Sequence, residues 1–315
     1  MAITELRSAP PVRTRPANGW SLALRHWQLY LFMLPALAYF LIFHYVPMYG
    51  TLIAFKNFNA AVGIWGSPWA GFEHFERFFS SYYFWRLLRN TLLLNLYLLV
   101  LFPLPILLAL SVNELANGSF KKWVQTLTYA PHFISVVVVV GMMVTFLDPI
   151  SGLVNHLVLE FGGQPIEFLT APGWFRHLFV WSNIWQSVGW ASIIYLAALA
   201  GVNMELHDVA KVDGATRLQR IRHINIPAIL PTVIVLLILE MGKFMTIGFE
   251  KVLLMQNELN STTSDVIQTF VYDSGLLQGQ YSYAAAIGLF DSVINIVLVV
   301  TMNQLARKTS EHSLW

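Results

Sequence analysis

The chain contains no cysteine. That removes disulfides, thiolate metal ligands and thiol nucleophiles together. Charge is scarce too. Asp, Glu, Lys and Arg make up 11% of the 315 residues, where a soluble chain carries about 25%. A net charge of +2 gives no electrostatic basis for a nucleic-acid partner. There is no G-x-x-x-x-G-K followed by Ser or Thr, so nucleotide is not hydrolysed here, and no H-E-x-x-H. His132, His156, His177, His207 and His223 are scattered without ligand spacing, and no repeat of tens of residues is visible. No polar segment is large enough to be a separate enzyme domain. Apolar residues dominate instead, at 56% of the chain with a mean hydropathy of +0.58. Such a chain lives in lipid, and its 14% aromatic content suits interfacial belts.

Six apolar runs are long enough to cross about 30 Å of hydrocarbon: Trp27–Val46, Thr91–Val112, Val124–Leu147, Leu178–Ala200, Ile226–Phe249 and Tyr281–Met302. Ala36-Leu37-Ala38 resembles a signal-cleavage tripeptide, but apolar residues continue behind it, so an uncleaved span is expected. Pro103 and Pro105 should kink the second run, and Pro131 should open or bend the third. Between the first two runs lies GIWGSPWAGFEHFERFFSSYYFWRLLRN. It suits either a helix lying in the membrane interface or a small external core.

Basic residues orient the chain. With the N-terminus inside, the inside segments hold Arg7, Arg13, Arg15, Arg25, Lys121, Lys122, Lys211, Arg217, Arg220, Arg222, Arg307 and Lys308. The outside segments hold Lys56, Arg77, Arg86, Arg89, Arg176 and Lys251. The two-to-one bias predicts six spans with both termini cytoplasmic. The expected boundaries are a basic tail at 1–26, a transmembrane domain at 27–306 and a C-terminal tail at 307–315. The acidic outside loops Asp148–His177 and Glu250–Gln280 read as docking surface for an external partner rather than as plain connectors.

One long polar segment lies between apolar runs, ELHDVAKVDGATRLQRIRHINIPAILP from Glu205 to Pro231. Leu206, Val209 and Ala210 fall at i, i+3 and i+4, on one face of a short helix. Asp213-Gly214 breaks the pattern, with glycine free to take a non-helical φ and Asp213 expected to cap Ala215 or Thr216. Leu218, Ile221 and Ile224 then restart it, giving a helix, a sharp turn and a second helix. This pattern resembles the EAA loop of ABC importer permeases, with Asp208-Val209 and Ile221 as mild departures. The resemblance implies that the loop, here 203–227, is a cytoplasmic coupling helix seated on a partner ATPase. Glu205, Leu206, Asp208, Val209, Ala210, Asp213, Gly214 and Ala215 would carry that coupling.

A second resemblance runs from about residue 27 to 310. LYLFMLPALAYFLIFHYVPMYGTLIAFKNFN, GIWGSPWAGFEHFERFF, KKWVQTLTYAPHFISVVVVVGM and YSYAAAIGLFDSVINIVLV are similar to oligosaccharide permeases of the LplB type, the MalF-like half of a permease heterodimer. It implies an all-α membrane protein, the transmembrane domain of a type I ABC importer. It also implies a second permease subunit, two copies of a cytoplasmic ABC ATPase that binds ATP and Mg, and an extracytoplasmic solute-binding protein. The implied cargo is an oligosaccharide, with alginate or pectin fragments among the candidates.

Polar groups inside spans mark a pathway or a helix contact. Glu240 and Lys243, at i and i+3, are placed to neutralise each other, as a structural pair or as substrate contacts. Asp291 and Asn295 share a face with Gly288 and Ala284, which reads equally as close helix packing or as a cavity wall. Asn183, Trp185 and Gln186 combine an aromatic face with amides, the combination a sugar path needs, while Trp181 reads as a belt residue. The rivals are an ion-gradient-driven secondary transporter, which calls for inverted repeats, and an intramembrane enzyme, which calls for a catalytic pair on facing spans.

Overall fold

A computed structural model of the chain describes residues 27–309. The basic tail 1–26 and positions 310–315 lie outside the described residues. Regular structure among the described residues is helical, and the single β pairing is an isolated bridge between Lys56 and Trp69.

Packing divides the chain after Leu52, and each part is described by itself. The first part is mostly α1 (Trp27–Phe40), followed by a π turn at Leu41–Tyr45. None of the residues of α1 is buried. The run Trp27–Phe55 is long and apolar enough to span a bilayer.

The second part begins with α2 (Glu73–Phe79) and α3 (Phe84–Val100), then α4 (Pro103–Asn113), α5 (Gly118–Tyr129), α6 (Val136–Leu147) and α7 (Leu153–Glu160). The long helix α8 (Pro172–Ala200) is followed by α9 (Met204–Val212), α10 (Arg217–Arg220) and α11 (Ile226–Met241). The short helices α12 (Phe249–Met255), α13 (Ser261–Ser264) and α14 (Ile267–Tyr272) precede the final helix α15 (Tyr281–Thr309). Helix α8 is the hub. It packs against α3, α4, α5, α11, α12 and α13. Its 29 residues span about 44 Å at 1.5 Å per residue, so its two ends define two ends of this second part. One end carries α12–α14, the other α9 and α10.

Four helical runs pass as single spans: Trp27–Phe55, Phe84–Asn113, Arg217–Met241 and Tyr281–Lys308. Two further pairs are bent, α5 with α6 by 98° and α8 with α9 by 73°, and counting each as one span gives six. Pro103 opens α4 after the Leu101–Phe102 break, where the missing proline donor costs nothing. The Pro131 bend is a full change of direction. A 3-10 turn occupies Ala130–Phe133, and Ser135 restarts the helix by accepting from the Val138 amide. The fifth span stops at Met241, short of the expected Phe249, because Gly242 breaks the helix and Asn295 Oδ1 accepts from the Met245 amide at 2.8 Å.

Three apolar clusters fill the interior. Leu94, Phe175, Phe179, Val252 and Val266 join α3, α8 and α12, while Ala109, Tyr195, Leu199 and Ile229 join α4, α8 and α11. The third cluster settles the aromatic stretch after the first span. Phe78 packs with Leu87, Met245, Ile267, Tyr283 and Ile287, so part of that stretch builds a core. Trp65, Trp69, Phe72 and Tyr82 of the same stretch stay exposed.

Candidate functional site

The elbow at the C-terminal end of α8 is fixed by local backbone chemistry. Asn203 accepts from the Glu205 amide at 2.9 Å and starts α9. Gly214 ends it in a left-handed conformation, φ 78°. Its amide donates to Lys211 O at 3.1 Å while the Ala215 amide donates to Ala210 O at 2.8 Å. That crossed pair is a Schellman closure, which demands a residue at home with positive φ. The expectation that Asp213 caps the next helix is incorrect. Thr216 is the N-cap instead, in a reciprocal box where Gln219 Oε1 accepts from the Thr216 amide at 2.7 Å. The Ala215 amide is already used by the turn, so it leaves Asp213 nothing to cap. The T-x-x-Q spacing is the signal that could have found this box.

The elbow is apolar on its outside. Leu206 is 54% exposed, Val209 60%, Val212 88% and Leu218 74%. Asp208 accepts from Lys211 Nζ at 2.9 Å, and this bond holds its carboxyl below the usual range. Beyond the elbow, a π turn at Ile221–Asn225 buries Asn225, whose amide donates to Glu114 Oε1 at 3.4 Å across to the end of α4.

Of the residues predicted for a substrate path, Asn183, Glu240 and Lys243 come together. They line a cavity of about 400 Å³ between α3, α4, α8 and α11, alongside Asn95, Ser187 and Tyr195. Of the two readings of Glu240 and Lys243, a structural pair or substrate contacts, the ion pair is absent. The ion pairs among the described residues are Arg86–Asp265 and Lys211–Asp208. The helix ends at Met241, so the i, i+3 spacing no longer holds the two side chains on one face. Both charges are therefore presented to the cavity.

The remaining path residues go elsewhere. Gln186 donates to Ile134 O at 2.7 Å, satisfying a carbonyl that the α5–α6 bend frees. Trp190, one turn on, stacks on His132 at 4.5 Å. Gly189 lies between them, where an added Cβ would sit 2.0 Å from Thr128 O, so α5 meets α8 backbone to backbone. Trp185 lines an apolar cavity with Trp181, Trp174 and Phe146. Asp291 accepts from Gln268 Nε2 at 3.3 Å beside a different cavity, and Asn295 holds the break after α11.

Residues 85–311 match the family described as "Binding-protein-dependent transport system inner membrane component". Protein LplB of Bacillus subtilis (strain 168) is 44% identical over 316 residues, covering 99% of each chain. The polygalacturonan/rhamnogalacturonan transport system permease protein YteP of the same organism is 46% identical, covering 91% of this chain and 90% of its own. Among solved structures, a chain of a bacterial ABC transporter involved in import of the acidic polysaccharide alginate superposes with a TM-score of 0.85. It is 44% identical and covers 92% of this chain and 98% of its own. A chain of a bacterial alginate ABC transporter in complex with a periplasmic protein bound to alginate pentasaccharide gives a TM-score of 0.87. That chain is 42% identical, with 94% of this chain and 99% of its own covered. This chain belongs to the family of binding-protein-dependent transport system inner membrane components.

Proposed function

We propose that this chain is one permease subunit of an ATP-driven importer of oligosaccharides. Its domain is drawn at 27–306 with the coupling loop at 203–227, and both termini face the cytoplasm. A second permease subunit completes the path, two ATPase subunits bind ATP and Mg, and an extracytoplasmic binding protein delivers the sugar. Acidic fragments are the favoured cargo, because similar proteins serve polygalacturonan/rhamnogalacturonan and alginate transport.

The observation that carries this reading is the elbow. Leu206, Val209, Val212 and Leu218 form an exposed apolar surface on a turn fixed by Gly214 and the Thr216–Gln219 box. Fully burying each such side chain is worth roughly 1.5–3 kcal/mol, which supports a helix-in-groove contact with the ATPase. When the ATPase pair closes on ATP, a stiff elbow moves as a rigid body and passes that motion to α8 and α11. The cavity holding Asn183, Glu240 and Lys243 supports a sugar path, with amide and charged groups for hydroxyls and carboxylates.

The test is Gly214→Pro in the complete transporter reconstituted in liposomes. Proline fixes φ near −65°, against the 78° observed, and deletes the amide that bonds Lys211 O. Sugar uptake and binding-protein-stimulated ATP hydrolysis should be lost while membrane insertion is kept. Normal uptake by this variant would rule out the coupling role.

A further inference from the structure

At the end of α8 opposite the elbow, a cavity of about 540 Å³ opens between the α2–α3 turn and the segment from Gln256 to Tyr283. That volume falls within the range of about 300–1,000 Å³ usual for small-ligand pockets. The mechanism proposed above does not use it.

Its polar groups fall into two sets. Both oxygens of Asp265 are engaged, bonded by Arg86 Nη1 at 3.1 Å and by Gln256 Nε2 at 2.7 Å. Asp273 is different. Among the described residues its half-buried carboxylate has no hydrogen-bond or ion-pair partner, and burial, then the charge of Asp265, push its pKa up. Arg77 lies with its guanidinium 4.3 Å from the Tyr283 ring centre and donates to Gln280 Oε1 at 2.8 Å, leaving further N–H groups for a ligand. Tyr82 and Tyr83 supply aromatic surface at the rim, where both remain exposed.

We propose that this cavity is a saccharide subsite, in which Asp273 accepts hydrogen bonds from neighbouring ring hydroxyls, Arg77 pairs with a ring carboxylate where one is present, and Tyr82 offers its face to the sugar. The chemistry selects this class of ligand. An apolar ligand leaves the Asp273 carboxylate unsolvated, which is unfavourable. A bare cation meets Arg77 and Arg86 beside the two carboxylates, and no group of three metal-ligating side chains exists among the described residues. A sugar presents hydroxyl donors, an apolar C–H face and, in an acidic residue, a carboxylate for a bidentate guanidinium contact. The inference rests on the oligosaccharide-importer reading. It adds a saccharide contact at the end of α8 opposite the elbow, separate from the cavity of Asn183 and Glu240.

The test uses the full chain in lipid nanodiscs, with trigalacturonate and maltotriose as probes and saturation-transfer NMR as the binding measurement. Uptake by cells carrying the complete transporter is measured in parallel. Asp273→Asn and Tyr82→Ala should each weaken saccharide binding about tenfold, the loss of one charge-assisted hydrogen bond or one aromatic contact. Half-saturation of uptake should shift in the same direction, with thermal stability unchanged. If uptake depends on the chain but both variants bind and transport as wild type does, the subsite is overturned and the importer reading stands. Weakened docking of the binding protein with unchanged saccharide binding also overturns the subsite. If the chain supports uptake of no saccharide at all, it is the importer reading that fails.

Discussion

The two ends of α8 are built on opposite plans. At its N-terminal end, buried asparagines tie distant segments together. Asn260 donates to Leu169 O at 2.9 Å, Asn90 to Asp265 O at 3.0 Å, and Asn155 both donates to and accepts from Ile166. At the C-terminal end, α9 and α10 are held by bonds within their own short stretch, and four large apolar side chains face outward. One end is finished by its own chain. The other is a rigid shape with an unburied surface, which is what a part that works against a partner requires.

The contrast can be broken by comparing glycines. Gly214 has open space around it, so a side chain there meets only the backbone penalty of positive φ, about 1–2 kcal/mol. The expected loss on Gly214→Pro is in transport, not in the fold of the spans. Gly189 has the reverse character, with Thr128 O 2.0 Å from any added Cβ. Gly189→Ala should lower the melting temperature strongly, since overpacking of this kind costs roughly 1–3 kcal/mol or more. Equal thermal stability of Gly189→Ala and wild type would show that α5 and α8 are not in backbone contact.

A pH-dependent effect sharpens the picture of the finished end. Lys251 of α12 is 4% exposed, its Nζ has no hydrogen-bond partner among the described residues, and burial pushes its pKa down to about 8. The unfolded amine titrates near 10.4. Below pH 8 the amine is charged in both states, and the folded state carries the full cost of burying it, on the order of 3 kcal/mol. As pH rises from 8 towards 10.4, the folded state releases its proton first and stability increases. Lys251→Met should therefore be more stable than wild type at pH 7, with the difference narrowing above pH 8. A difference independent of pH would mean that the amine is paired or hydrated.

Much of this was legible in the sequence. The apolar runs place the helices, Pro131 marks the sharp bend, and Asp213-Gly214 marks the elbow. Periodicity also put Leu206 and Val209 on one face, and both are exposed there. What it could not supply were relations between segments. Gln186 reads as a sugar contact on its own helix, yet its partner is a carbonyl freed by a bend far away in the chain. Glu240 and Lys243 read as a pair because helical spacing was assumed to continue past Gly242. Asp273 has no periodic pattern around it at all. Its interest comes only from what Arg86 and Gln256 do to Asp265 beside it.

The absence of cysteine makes the central claim directly testable. Val209→Cys places a single thiol on the elbow, and Tyr82→Cys places one at the other end of α8. In the assembled transporter, a short photoreactive maleimide attached to the thiol should, on illumination, link Val209→Cys to the nucleotide-binding subunit and leave Tyr82→Cys unlinked to it. A nucleotide-binding subunit captured from Tyr82→Cys, or never captured from Val209→Cys, would contradict the account.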